Sequence, residues 1–266
     1  MNHLLRGLAP ISASGWDALD DEAKQRLPAA LAARKLVEFA GPHGWSHSAT
    51  NLGRSKAVAA APVDGVAARA RTVLPLVELR SDFEVARDEL TDSERGALDI
   101  DLSGLDAAAR RIAIAENIAV FHGWEQAGIV GIVESSPHAA IPRESDLDHY
   151  PRRVAKAVET LLSNGIDGPY GLALSPEEYT SVIETTEHGG YPLFDHLRKI
   201  LDGPIVWAPG VRGAVVLSLR GGDFLFESGQ DLSIGYDHHD AATVHLYFEE
   251  SFSFRVATPE AAVPLH

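Results

Sequence analysis

The chain has 266 residues, 45% of them apolar and 23% charged, which places it among ordinary globular proteins long enough to bury a sizeable core in one or two domains. Its formal charge of -15, from 38 acidic against 23 basic residues, argues against nucleic acid or an anionic membrane as the main partner, because both recruit basic patches. The absence of cysteine excludes disulfide frameworks, thiolate nucleophiles and cysteine-ligated metal centres.

The opening MNHLLRGLAP lacks the apolar run of a signal peptide, and no stretch approaches the roughly 18 apolar residues of a spanning helix, so an unprocessed cytoplasmic protein is expected. Residues 14 to 38 predict an interrupted amphipathic helix: Trp16, Leu19, Ala23, Leu27 and Leu31 share a face, and Ser14 is the candidate N-cap. Pro28 should kink or split it, since proline lacks a backbone donor and clashes with the preceding turn. From Asn51 to Arg71, small and basic residues flank the turn signal PVDG, the pattern of a long, thin hairpin. It carries Arg54, Lys56, Arg69 and Arg71 but few large apolar side chains, and an isolated two-stranded arm is marginal in water, so it needs another surface to lie on.

Val77, Leu79, Phe83 and Val85 alternate with Glu78, Arg80, Asp82 and Glu84, which predicts a half-buried strand. Residues 106 to 122 contain neither Gly nor Pro and end at Gly123, the pattern of a long helix. Residues 135 to 221 alternate helix and strand patterns. A helix over 151–163 stops near Asn164 and Gly165, the strand YGLAL follows, and Ser175 with Pro176 and Glu178 caps a helix over 176–186. The stretch VHLYFEESFSFRV alternates as a strand in which only Glu250 interrupts the apolar row. That position implies a bulge, a partner for a basic group, or a place where the face meets water.

Few stretches could carry chemistry. GYDHHD at 235 to 240 sets two histidines between two aspartates, yet it falls between two strand patterns, and neighbours in an extended chain point apart. A connecting turn is therefore expected, with a metal-dependent hydrolase using Asp237, His238, His239 and Asp240 as the enzyme alternative. His43 and His47 in GPHGWSH read as part of a change of chain direction rather than as ligands. RGGDF at 220 to 224 lacks the lysine and helix start of a phosphate loop, and no GxSxG, HExxH or GxGxxG occurs in the required context.

Taken in order, LAPISASGWDALDDEA (8–23), ARKLVEFAGPHGW (33–45), LPLVELRSDF (74–83), ERG (94–96), GPYGLAL (168–174), RGGDF (220–224), GQDLSIGY (229–236) and ESFSFRV (250–256) resemble the encapsulins, shell proteins with the HK97-type fold of tailed-phage capsids. The resemblance implies an α+β fold. Residues 1–48, 77–134 and 222–266 would form a peripheral domain with an N-terminal interior helix, 49–76 an extension loop lying on a neighbouring subunit, and 135–221 an axial domain. It implies a non-enzymatic subunit that self-assembles into an icosahedral cage, of sixty copies in its smallest form, around a cargo enzyme such as a ferritin-like protein or a peroxidase bearing a targeting peptide. A phage-type capsid packaging DNA is the nearest alternative. Carried over by position, a cargo-peptide groove would lie near Leu27, Arg34, Glu38, Asp231, Leu232 and Ile234. The loop Glu187, His188, Gly189, Gly190 and Tyr191 would line the fivefold pore, with His188 as a pH-sensitive gate. Some members bind flavin through a tryptophan after LPLVELR; EVARDEL here lacks one, so no flavin or other cofactor is expected.

Overall fold

The computed structural model describes residues 3–142, 149–187 and 190–266. In chain order its helices are α1 (Ala13–Ala30), α2 (Arg87–Glu94), α3 (Ser103–His122), α4 (Ile132–Ser135), α5 (Tyr150–Ser163), α6 (Pro176–Glu184) and α7 (Leu193–Leu201). Its strands are β1 (Glu38–Ala40), β2 (Ala49–Ala57), β3 (Arg69–Pro75), β4 (Val77–Ala86), β5 (Tyr170–Leu174), β6 (Ile205–Trp207), β7 (Ala214–Ser218), β8 (Phe224–Ser228), β9 (Ser233–His239), β10 (Thr243–Val256) and β11 (Ala262–Leu265).

The first sheet is organised by β10, which is long enough to take partners in tandem. β4 runs antiparallel along one edge. Along the other edge β9 pairs with the first half and β8 with the second, and β1 extends β8 in parallel. Glu250 sits where β9 gives way to β8. Helix α3 lies on this sheet, and the close approach has a sequence cause: a Cβ at Gly104 would meet the Glu84 backbone of β4. Gly123, at φ +75°, ends the helix as anticipated.

Helix α1 packs on α3 through Leu19, Ala23, Leu27 and Ala30, a stripe of three- and four-residue spacings that meets Leu105, Ala109, Ile112 and Ala113 in one apolar cluster. Its cap is Ser12, whose hydroxyl accepts from Gly15 N at 3.1 Å, rather than Ser14. Pro28 does not split the helix midway. It sits in the last turn, where α1 ends at Ala30, and a single 3-10 turn over Ala33–Lys35 leads into β1, so the helix expected to continue toward residue 38 is shorter.

The second sheet has the order β11-β7-β5-β6. β5 and β7 are buried along their whole length, with α5 and α7 contributing Val154, Ala157, Leu161, Leu197 and Leu201 to the same core. Phe226, Phe252 and Phe254 of the first sheet join that core, so the two sheets share packing. The C-terminal strand β11, which no sequence pattern announced, hydrogen bonds to β7 and thus ties the end of segment 222–266 to the second sheet. Its Pro264 is tolerated because β11 is an edge strand.

β2 and β3 pair only with each other, and Val58, Val63, Val66 and Val73 are exposed on the hairpin. Its base is tied to β10 by Thr50 Oγ1 and Ser253 Oγ, 2.5 Å apart.

His122, in the last turn of α3, accepts a hydrogen bond from Arg212 N through Nε2 at 3.0 Å, and its side chain is only 5% exposed. Burial first, then the Arg212 and His266 charges, push its pKa down to about 4. A histidine depressed in the fold binds fewer protons there than in the unfolded chain between pH 6.5 and about 4, so stability is lost as pH falls through that window and levels off below it. The loss expected from this group is roughly 3 kcal/mol. His122→Gln keeps an acceptor for Arg212 N, and thermal melts between pH 7 and pH 4 should lack this component in the variant.

Candidate functional site

The most unusual chemistry in the molecule is a buried ion cluster at the seam between the helical layer and the first sheet. Arg34, in the 3-10 turn after α1, donates from Nε to Glu116 Oε2 of α3 at 2.7 Å, and from Nη2 to Glu250 Oε2 of β10 at 2.7 Å. Its Nη1 donates to Asp231 Oδ1, in the loop before β9, at 2.6 Å. Glu116 and Glu250 are 0% and 1% exposed, whereas Asp231 is 41% exposed. The guanidinium also lies 5.1 Å and 5.4 Å from the ring centres of Phe39 and Phe226. Carboxylates from three separate elements therefore converge on one cation, an arrangement whose breaking costs more than its formation contributes, since Glu116 and Glu250 would be left behind as buried charges.

Burial opposes the Arg34 charge, but Glu116, Glu250 and Asp231 outweigh it and raise its pKa further. Burial raises Glu116 despite the attraction of Arg34, and it raises Glu250 well above the usual carboxylate range, with Glu116 adding to the effect.

Asn117, adjacent to Glu116 and also fully buried, completes the seam. Its Oδ1 accepts from Ala32 N and Ala33 N, both at 3.0 Å, and its Nδ2 donates to Ala30 O at 2.8 Å and Pro209 O at 2.9 Å. It satisfies backbone groups freed at the end of α1 and fixes the turn that carries Arg34.

Of the groove residues expected from sequence, the structure brings Arg34 and Asp231 into direct contact. It places Leu27 and Ile234 in the apolar cluster of α1, α3 and β9, with Leu232 packed against it. Glu38 is elsewhere: its Oε2 accepts from Gly222 N at 2.7 Å, in the turn of RGGDF. Among the options open for Glu250, the structure selects the partner for a basic group. Glu116 and Asn117 escaped the sequence reading, although two polar residues inside the apolar run IAIAENIAVF were a usable signal.

GYDHHD is not the connecting turn that its sequence suggested. Gly235 to His239 lie within β9, and only Asp240 turns, its Oδ1 accepting from Ala242 N and Thr243 N at 2.7 Å and 2.8 Å. The strand continues because β10 offers it a partner through a register shift opposite His245 and Leu246. The four side chains do not converge on one point: Asp237 Oδ2 meets His238 Nδ1 at 2.7 Å while its Oδ1 accepts from Arg80 at 3.0 Å, His238 stacks on His245 at 4.0 Å, and His239 turns to the Tyr236 hydroxyl at 2.6 Å. Among the described residues no group of three or more acidic or histidine side chains is arranged to hold a metal ion. His43 and His47 both approach Glu227 Oε1, at 4.0 Å and 2.6 Å.

In the expected pore loop, His188 and Gly189 lie outside the described residues. Glu187 N donates to Tyr191 O and Gly190 N to Glu187 O, both at 2.9 Å, and the Glu187 carboxylate meets His196 Nδ1 of α7 at 2.9 Å.

A sheet braced by a long helix, a second sheet with its own helical layer and a projecting two-stranded arm define the HK97-like class of capsid and shell proteins. A virus-like particle subunit from Pyrococcus furiosus superposes with a TM-score of 0.64 over 95% of this chain and 98% of its own, at 19% identity. The capsid of an empty GTA particle matches at 0.54 over 88% and 89%, at 14% identity. Within that class the family model Linocin_M18, an encapsulating protein for peroxidase, matches residues 1–253, and the chain belongs to this family. It is 48% identical over 270 residues to a type 1 encapsulin shell protein of Rhodospirillum rubrum, covering 100% of this chain and 96% of that one. It is 43% identical to another from Rhodococcus erythropolis, with full coverage of both. No helix among the described residues is long and apolar enough to cross a membrane.

Proposed function

We propose that the chain is a structural rather than catalytic subunit. Many copies, sixty in the smallest closed form, would assemble in the cytoplasm into an icosahedral encapsulin compartment that sequesters a cargo enzyme. The observation that carries this reading is the 48% identity, spanning the whole chain, to a type 1 encapsulin shell protein. The hairpin supports it, because an arm without a core and with four exposed valines is stabilised when a neighbouring copy covers it. Closure follows when repeated heterologous contacts return on themselves.

The cargo's terminal peptide is assigned to the seam between α1 and β9, with Leu27, Leu232 and Ile234 as its apolar floor and Arg34 and Asp231 as the charges that set its register. Glu187, Gly190 and Tyr191 are assigned to the rim of the fivefold opening. Electron microscopy of the purified protein after size exclusion tests the reading. Uniform closed particles are expected, with an absorbance ratio at 260 over 280 nm typical of protein alone. A monomer or small oligomer stable across salt and pH overturns it, and particles rich in nucleic acid favour the DNA-packaging capsid instead.

A further inference from the structure

The Arg34 cluster has an imbalance that its geometry resolves in one way. One guanidinium faces three carboxylates, and two of those, on α3 and β10, are out of solvent. Each buried glutamate spends a single oxygen on Arg34, leaving Glu116 Oε1 and Glu250 Oε1 buried without a hydrogen-bond partner among the described residues. Nε and Nη2 lie along one edge of the planar guanidinium, so the two carboxyl groups bound to them are held side by side. Fully ionised, the cluster would carry a net charge of -2 with two orphaned acceptors, each an expensive buried feature.

We propose that Glu116 and Glu250 form a proton-binding site: together they hold one proton, and the protonated carboxyl of one donates through Oε1 to the Oε1 of the other. One proton then satisfies both orphans and halves the excess charge, while both Oε2 atoms stay on Arg34. Two carboxylates sharing a site behave this way, titrating as a pair rather than as separate acids. Burial of both groups, with Glu116 further raising Glu250, acts in the same direction. Arg34 from the 3-10 turn and Asp231 from the loop before β9 are the other charged groups facing the pair, and Asp231, at 41% exposure, is the carboxylate of the three that reaches solvent. A metal ion is disfavoured in the same space by the guanidinium already there. Because α3 and β10 each contribute one member, loss of the proton sets two like charges against each other across the seam. That joint loosens as pH rises, whether or not the chain closes into shells and whether or not a cargo peptide docks nearby.

Infrared difference spectroscopy of the intact protein, titrated from about pH 6 to about pH 10, reads the proton directly, since exposed carboxyls are already ionised across that range. A carboxylic acid C=O band persisting at neutral pH and disappearing on alkalinisation is expected, and it should be absent in Glu250→Gln, whose amide N–H takes the place of the shared proton. The thermal midpoint of that variant should overtake wild type as pH rises, the gap widening by about 3 °C or more. The wild-type spectrum alone decides if the variant folds poorly, and Glu116→Gln provides a second check. Absence of an acid band at neutral pH, a band unchanged in both variants, or one equivalent of bound metal per chain by elemental analysis overturns the proposal.

Discussion

Arg34→Met should cost about 3–5 kcal/mol of stability, because it removes the cation that is bonded to both carboxylates at a site where they are out of water. Methionine matches the length of the aliphatic stem and keeps contact with Phe39 and Phe226, so most of the loss is electrostatic rather than a cavity. The variant should also depend more steeply on pH. Glu116 and Glu250 are carboxyls raised by burial, so the folded chain binds more protons than the unfolded one above the ordinary glutamate range. Their stabilising contribution is full in acid and is lost as pH rises through the folded values. Without Arg34 to favour the ionised forms, that loss grows, and denaturant midpoints at pH 8 should fall further below wild type than those at pH 5. Equal losses at both pH values would mean that Arg34 acts through packing. Arg34→Lys should recover little, since one ammonium cannot reach three carboxylates with the planar fork's geometry.

The legible parts of this molecule were those in which one local rule decides. YGLAL is a strand buried along its length, and SPEE caps α6 through Ser175 Oγ, which accepts from Glu178 N at 3.2 Å. The arm was visible as a segment with strand pattern and no core. Elements fixed by tertiary pairing were harder to see. α2 has one buried residue, Leu90, and thus no periodicity to read. β11 is AVPL, and it becomes a strand because β7 presents an edge. The strand GYDHH was hidden by its polar tail, which is solvated on one side while β10 supplies the hydrogen bonds on the other. The ion cluster was half legible: Glu250 broke a row and asked for a cation, but nothing local connects it to Arg34, 216 residues away.

Asn117→Ala should be comparably damaging, about 3–5 kcal/mol, although it changes no charge. The side chain makes four hydrogen bonds to backbone from a fully buried position, and its removal leaves Ala33 N and Pro209 O without the only partner each has in the described structure, in a space too enclosed for easy hydration. Ala32 N and Ala30 O suffer less, since they also bond to each other at 2.9 Å. Asn117→Asp separates the two halves of the role. Its carboxyl can still accept from Ala32 N and Ala33 N, but it confronts the Ala30 and Pro209 carbonyls and adds a buried charge beside Glu116. Protonation restores the donor, so this variant should gain on wild type as pH falls, the opposite of the trend set by His122. Hydrogen exchange read on the peptide spanning residues 28 to 36 localises the effect: the Ala33 amide should lose protection in Asn117→Ala and keep most of it in Asn117→Asp. The consequence reaches function because the turn that Asn117 holds is the one that aims Arg34, so slack there displaces the guanidinium from the seam assigned to the cargo peptide. Particles of Asn117→Ala that still assemble should capture peptide more weakly than wild type, whereas undiminished capture would show that Glu116, Glu250 and Asp231 suffice to position Arg34.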